Sequence, residues 1–178
     1  KYPPITAVFD KESSVATEFR RLYSNLKSRK SADTLKTIMI TSAMIGEGKS
    51  LTSSLLSMSM ADLTKAKIGL IDFDLRRPKL HTYFCLPIEN GVSDVLTGKT
   101  GIKDICRKTT VPNLTVLPAG KPSNNPSEII DRADIPAFFQ ELKFYFDYIV
   151  VDSPPVIPVS DPLLISDLTD GVLLVIRA

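Results

Sequence analysis

The stretch Ala43-Met-Ile-Gly-Glu-Gly-Lys-Ser50 has the residue types needed to hold phosphate. Gly46 and Gly48 permit a tight turn that brings backbone N–H groups close to anionic oxygens. A helix starting at this point adds favourable partial charge. Lys49 can supply a cation to β- and γ-phosphates, and the Ser50 hydroxyl is a hard ligand suited to Mg²⁺. The candidate nucleotide cradle is therefore Ala43, Met44, Ile45, Gly46, Glu47, Gly48, Lys49, Ser50 and Leu51. This is the Walker A pattern with Ala at its first position, and the ligands it implies are ATP and Mg²⁺.

Two acidic sites fit the same chemistry. Asp72 and Asp74 follow the apolar run Ile68-Gly-Leu-Ile. On an extended segment a spacing of two puts both carboxylates on one face and Phe73 on the other. Two such carboxylates repel unless a cation sits beside them. Asp152 ends Tyr148-Ile-Val-Val, the Walker B pattern. Ser50, Asp72, Asp74 and Asp152 are thus the expected metal neighbours. Arg76 and Arg77 could contact a phosphate or the acids of a neighbouring subunit, or simply pair with surface carboxylates. Cys85, Cys106 and the lone His81 lack any metal-ligand spacing.

These residues need a sheet to position them. Thr37–Ser42, Ile68–Asp72, Leu114–Leu117, Tyr148–Asp152 and Val172–Ile176 are short apolar runs without polar alternation, as expected of strands buried on both faces. Helix-like stretches separate them. Ser50 to Leu63 carries Leu51, Leu55, Leu56, Met58, Met60 and Leu63, and Ile135 to Phe146 carries Phe138, Phe139, Leu142 and Phe146. The alternation predicts an α/β, P-loop NTPase-type three-layer fold, with a mostly parallel sheet and helices on both faces. Ligands bind at the carboxyl ends of such strands, where the acids stand. Residues 1–35 are expected to form an N-terminal extension and residues 36–178 the P-loop domain. In the extension, Ser13 to Lys30 reads as an amphipathic helix with a stripe of Val15, Phe19, Leu22 and Leu26 and a basic end at Lys27, Arg29 and Lys30. Pro118 to Pro126 reads as a surface loop.

The 178 residues suit one domain. With 22 basic against 20 acidic residues, the net charge of +2 is too balanced for a chain whose main task is gripping nucleic acid or an anionic bilayer. No apolar run approaches the roughly 18 residues of a membrane helix, no signal peptide opens the chain, and a soluble piece is expected. The sequence stops within an apolar run at Leu173-Leu-Val-Ile-Arg-Ala178, so a further C-terminal section is expected.

The Asn-Lys-x-Asp guanine reader of GTPases is absent. Partition-type ATPases of the ParA/MinD class share the sheet pattern but carry a signature Lys near the start of the loop, where Met44 stands here. Ile40-Thr-Ser-Ala-Met-Ile-Gly-Glu-Gly-Lys-Ser50, Leu70-Ile-Asp-Phe-Asp-Leu-Arg-Arg-Pro78 and Phe146-Asp-Tyr-Ile-Val-Val-Asp-Ser-Pro-Pro155 closely resemble the bacterial tyrosine kinases of polysaccharide export. Gly91-Val-Ser-Asp-Val-Leu96, Leu117-Pro-Ala-Gly120 and Asn125-Pro-Ser-Glu128 extend the likeness over Phe19 to Ala178.

The resemblance implies an ATP-dependent tyrosine autokinase that acts in trans, controls exopolysaccharide or capsule polymerisation, and works on the cytoplasmic side of the membrane with a membrane-anchored co-polymerase or activator. It makes Asp72, Lys49 and Asp74 the catalytic group, with Asp72 taking the tyrosine proton. The chain departs from the pattern at three places. Ile45 replaces a Pro. Of the ring-forming Glu-x-x-Arg-x-x-Arg, aligned at Thr17, Arg20 and Tyr23, only Arg20 is present, with Glu18 and Arg21 in a shifted frame. The tyrosine cluster is missing, since Tyr2, Tyr23, Tyr83, Tyr145 and Tyr148 are scattered. The alternative reading is an ATP-binding switch of the ParA/MinD class that transfers no phosphoryl group.

Overall fold

In the computed structural model, residues 3–29 and 34–177 are described; Tyr2, Lys30 and Ala178 lie outside them, as does the side chain of Arg29. The elements run α1 (Ile5–Val8), α2 (Ser14–Arg29), β1 (Thr37–Ser42), α3 (Lys49–Leu63), β2 (Ile68–Asp72), α4 (Leu80–Tyr83), α5 (Val92–Leu96), α6 (Ile102–Ile105), β3 (Arg107–Lys108), β4 (Leu114–Leu117), α7 (Pro126–Arg132), α8 (Ile135–Tyr145), β5 (Tyr148–Asp152), α9 (Asp161–Ser166) and β6 (Gly171–Val175). The strand order is β3-β4-β2-β5-β1-β6. Every pairing is parallel except that of β3 with β4.

The register explains the missing polar alternation. Val116, Leu70, Val150 and Ile38 form one row across four strands. All four belong to the core shared with α2 and α3. The next row, Leu117, Ile71, Val151 and Met39, turns to the other face. There it meets α5 to α9. Both faces are covered, so both side-chain sets are apolar. One residue further on, the rows end in acid: Asp72 and Asp152 are register partners. The expected three-layer architecture is present.

Helix α3 buries a different face from the one its leucines suggest. Leu51 and Leu63 are exposed, whereas Ser53, Ser54, Ser57 and Ser59 are buried with Leu56, Met58 and Met60. Small hydroxyl side chains let the helix approach the sheet closely. Ser53 and Ser54 each return a hydrogen bond to a carbonyl four residues back, at 2.7 Å. In α2, Val15 is exposed, and Ala16 and Tyr23 enter the core in its place. Phe19, Leu22 and Leu26 do pack against that core.

Two further expectations are corrected. β6 is not buried on both faces: Leu173 and Val175 pack against the α2/α3 core, but Val172, Leu174 and Ile176 are exposed. Among the described residues it stands at the sheet edge and pairs with β1 alone. The Pro118–Pro126 segment is not wholly superficial, because Pro118, Ala119 and Gly120 are buried. Pro118 and Ala119 accept hydrogen bonds from Val92 N and Ser93 N at 2.8 and 3.0 Å. A Cβ at Gly91 would collide with the Gly120 backbone at this junction. The antiparallel β3, two residues long, carries no apolar signal that a sequence could show.

Phe73 fixes the acid-bearing end of β2. It is fully buried, with ring centroids 6.1 Å from those of both Phe138 and Phe139 on α8. Phe73→Ala is expected to cost about 3–5 kcal/mol in chemical denaturation, because the helix cannot fill the void.

Candidate active site

β1 delivers the chain into the phosphate loop at Ser42, whose hydroxyl donates to Met44 O at 2.7 Å. Gly46 and Gly48 have φ of +88° and +95°, and nothing stands within 4 Å of a Cβ at either. Backbone conformation, not crowding, therefore selects glycine there. The Glu47 carboxylate turns back and accepts from Met44 N at 2.7 Å. A second loop braces the first: Thr41 Oγ1 donates to Pro154 O at 2.8 Å, and Val156 N to Ser42 O at 2.9 Å.

A cleft of about 590 Å³ opens above this loop. Ile45, Gly46, Gly48, Lys49, Ser50 and Asp74 line it, whereas Ala43, Met44, Glu47, Leu51, Asp72 and Asp152 do not. Met44 and Leu51 are exposed elsewhere.

Behind the cleft lies a buried electrostatic cluster. Lys49 Nζ pairs with Asp74 Oδ2 at 2.8 Å and lies 3.4 Å from Ser50 Oγ. Asp152 Oδ1 accepts from Ser53 Oγ at 3.1 Å, but its Oδ2 is buried with no hydrogen-bond partner. Asp72 is fully buried and holds backbone: Oδ1 accepts from Asp74 N at 3.3 Å, and Oδ2 from Lys79 N and Leu80 N at 3.1 and 3.0 Å. Three carboxylates therefore share one ammonium. Burial alone would pull the Lys49 pKa down, but the Asp152 and Asp74 carboxylates outweigh it and raise the value. Burial, then the charge of Asp152, pushes Asp72 well above the usual carboxylate range. Burial pushes Asp152 up to about 6 against the opposing pull of Lys49 and Ser50.

These residues fit a divalent cation. The cluster is short of positive charge, Asp152 Oδ2 is orphaned, and Ser50 lies beside the Asp152 carboxylate. Mg²⁺ takes one or two protein ligands and completes its shell with water and phosphate, a donor set that Ser50 and Asp152 match.

Arg76, left open by sequence, bridges elements. Its Nε donates to the buried Asp161 at 3.2 Å, and its Nη2 donates to Ser127 Oγ at 2.6 Å. It ties the loop after β2 to α7 and α9. Sequence could not show this, because Asp161 lies 85 residues away. His81, on the cleft wall, is driven toward its neutral form by partial burial and by Lys79.

A family model described as an AAA domain matches residues 35–176. The tyrosine-protein kinase YwqD of Bacillus subtilis is 31% identical over 98% of this chain and 73% of its own length. The chain belongs to the bacterial tyrosine-kinase family. The kinase domain of the Escherichia coli tyrosine kinase ETK superposes with a TM-score of 0.92 at 29% identity, covering 100% of this kinase-family chain and 69% of that chain. The MinD protein of Pyrococcus horikoshii, solved with Mg-ADP, is a more distant likeness: TM-score 0.65, 25% identity, 79% of this chain and 57% of that one.

The raised Asp152 pKa has a consequence for this family member without metal. The stability of a buried acid whose folded pKa is raised is fully present below its unfolded pKa and is lost as pH rises through the folded value. In EDTA, Asp152→Asn should therefore melt above the wild type at pH 8. The gap should close as pH falls through about 6 toward the unfolded carboxylate range. Thermal melts across that range check the sign.

Proposed function

We propose that this chain transfers the γ-phosphoryl group of ATP to tyrosine hydroxyls of other copies or of partner proteins. The observation that carries the reading is the Lys49-centred cluster with Asp74 on the wall of the cleft. Phosphoryl transfer asks a protein mainly for positioning and for neutralisation of charge. The loop amides and Lys49 would hold the β- and γ-phosphates. Ser50 and Asp152 would hold Mg²⁺ directly or through water, with Asp74 beside it, and the ion would supply charge neutralisation. Asp72, with its raised proton affinity, would take the tyrosine proton. It stands behind the cleft, so the turn it holds at Lys79 and Leu80 must loosen for it to do so.

None of the four described tyrosines is exposed. Tyr23 is buried, and Tyr83, Tyr145 and Tyr148 are half-buried. Tyr23 and Tyr148 pack edge to face at 6.4 Å. In keeping with its family resemblance, the domain would act at the cytoplasmic face of the membrane, under a polysaccharide co-polymerase or activator. Among the described residues no helix is long and apolar enough to cross a membrane. A ring built through Arg20 would have to exchange existing contacts. Its guanidinium donates to Thr17 Oγ1 at 3.1 Å and stands 4.0 Å from Asp62. Glu18 and Arg21 pair with each other at 3.5 Å on the exposed side. The MinD likeness favours the alternative of a nucleotide switch without transfer.

Incubation with labelled ATP, Mg²⁺ and the activator separates the two. Phosphotyrosine is expected, and nucleotide binding without it would establish the switch. Lys49→Met should abolish nucleotide binding in titration calorimetry, because it removes the only cation of the described cluster.

A further inference from the structure

The cleft is lined by cations other than Lys49, among them Arg77 and Lys79. Resting on the kinase reading above, we propose that Arg77 and Lys79 form an acceptor-side recognition rim. It selects tyrosines flanked by negatively charged groups, whether carboxylate side chains or phosphate esters.

The geometry of the turn after β2 carries the argument. Its backbone is wrapped around the catalytic acids: Arg77 N donates to Asp74 Oδ1 at 2.9 Å, and Lys79 N to Asp72 Oδ2 at 3.1 Å. Between them Pro78 is buried, and beyond them Leu80 is fully buried in the core. The frame is therefore pinned from both sides, while Arg77 and Lys79 are exposed and line the cleft. The neighbouring cations are already engaged, Lys49 by Asp74 and Arg76 by Asp161. Arg77 and Lys79 make no ion pair with any described carboxylate. Two unneutralised positive charges thus stand exposed on a pinned turn beside the acids, on the lining of the cleft.

The wall next to them suits a flat ring. Pro122, Pro154, Pro155 and Pro158 with Tyr83 give it a stiff, apolar surface. An aromatic acceptor on that surface would bring its flanking residues against the rim. A neutral peptide would gain the surface but not the two charge contacts. Two exposed charge contacts together are worth roughly two- to thirtyfold in selectivity. Because the rim is exposed, salt should weaken that selectivity.

The test uses the full chain, its Arg77→Gln/Lys79→Gln variant and three tyrosine peptides, flanked by Glu, by phosphotyrosine or by Gln. For the wild type, kcat/KM should favour the anionic peptides over the Gln peptide by about tenfold at low salt. A preference for only one anionic peptide identifies its source as carboxylate or phosphate. In the variant the ratio should fall to about one, with KM for ATP and the melting temperature at wild-type values. A wild type without preference, or a variant that keeps it, overturns the proposal. So does a matching rise in KM for ATP, which would make the pair a nucleotide clamp. Fluorescence polarisation of the same peptides reads the preference without turnover. Charge-dependent binding lost in the variant, with no phosphotyrosine formed, would retain the rim and reject the kinase reading.

Discussion

Three buried carboxylates around a single ammonium set the terms for the rest of this structure. Asp72 and Asp152 are fully buried and Asp74 nearly so, and Lys49 is the one basic side chain among them. Such a group is unfavourable in an apolar interior unless hydrogen bonds or cations offset the desolvation. Asp72 is offset by three backbone N–H groups and Asp74 by Lys49 and Arg77 N, while Asp152 keeps one oxygen unmatched. The protein thus carries a built-in deficit of positive charge at the place where a triphosphate and its metal would arrive.

The fold serves that placement. Parallel pairing of β2 with β5 brings two acids from distant parts of the chain into register. The apolar rows beneath them make the sheet end rigid, with Phe73 anchored against α8. The serine-rich face of α3 lets its N-terminus, and with it Lys49, approach the sheet closely. The turn from Asp74 to Leu80 folds around the carboxylates instead of leading away from them.

Much of this was legible in the sequence, for identifiable reasons. Strands covered on both faces are continuous apolar runs, so β1, β2, β4 and β5 showed themselves. The phosphate loop combines glycines, Lys49 and Ser50 in a spacing that few other structures require. What stayed hidden depends on distant partners. Asp72 accepts from residues seven and eight positions ahead, and Arg76 meets Asp161 across 85 residues. The bare face of β6 and the exposure of Val15, Leu51 and Leu63 reflect neighbours that local periodicity does not encode.

On the proposed kinase reading, the Asp74 carboxylate occupies the Lys49 ammonium that a phosphate would take, and Asp152 Oδ2 would meet the cation. A crystal structure of the chain with a non-hydrolysable ATP analogue and Mg²⁺ tests it most directly. Lys49 Nζ should leave Asp74 Oδ2 for the phosphates, and the ion should contact Ser50 and Asp152 Oδ2 directly or through one water. Nucleotide bound with the Lys49–Asp74 pair intact, or with Asp152 Oδ2 still unpartnered, would contradict it.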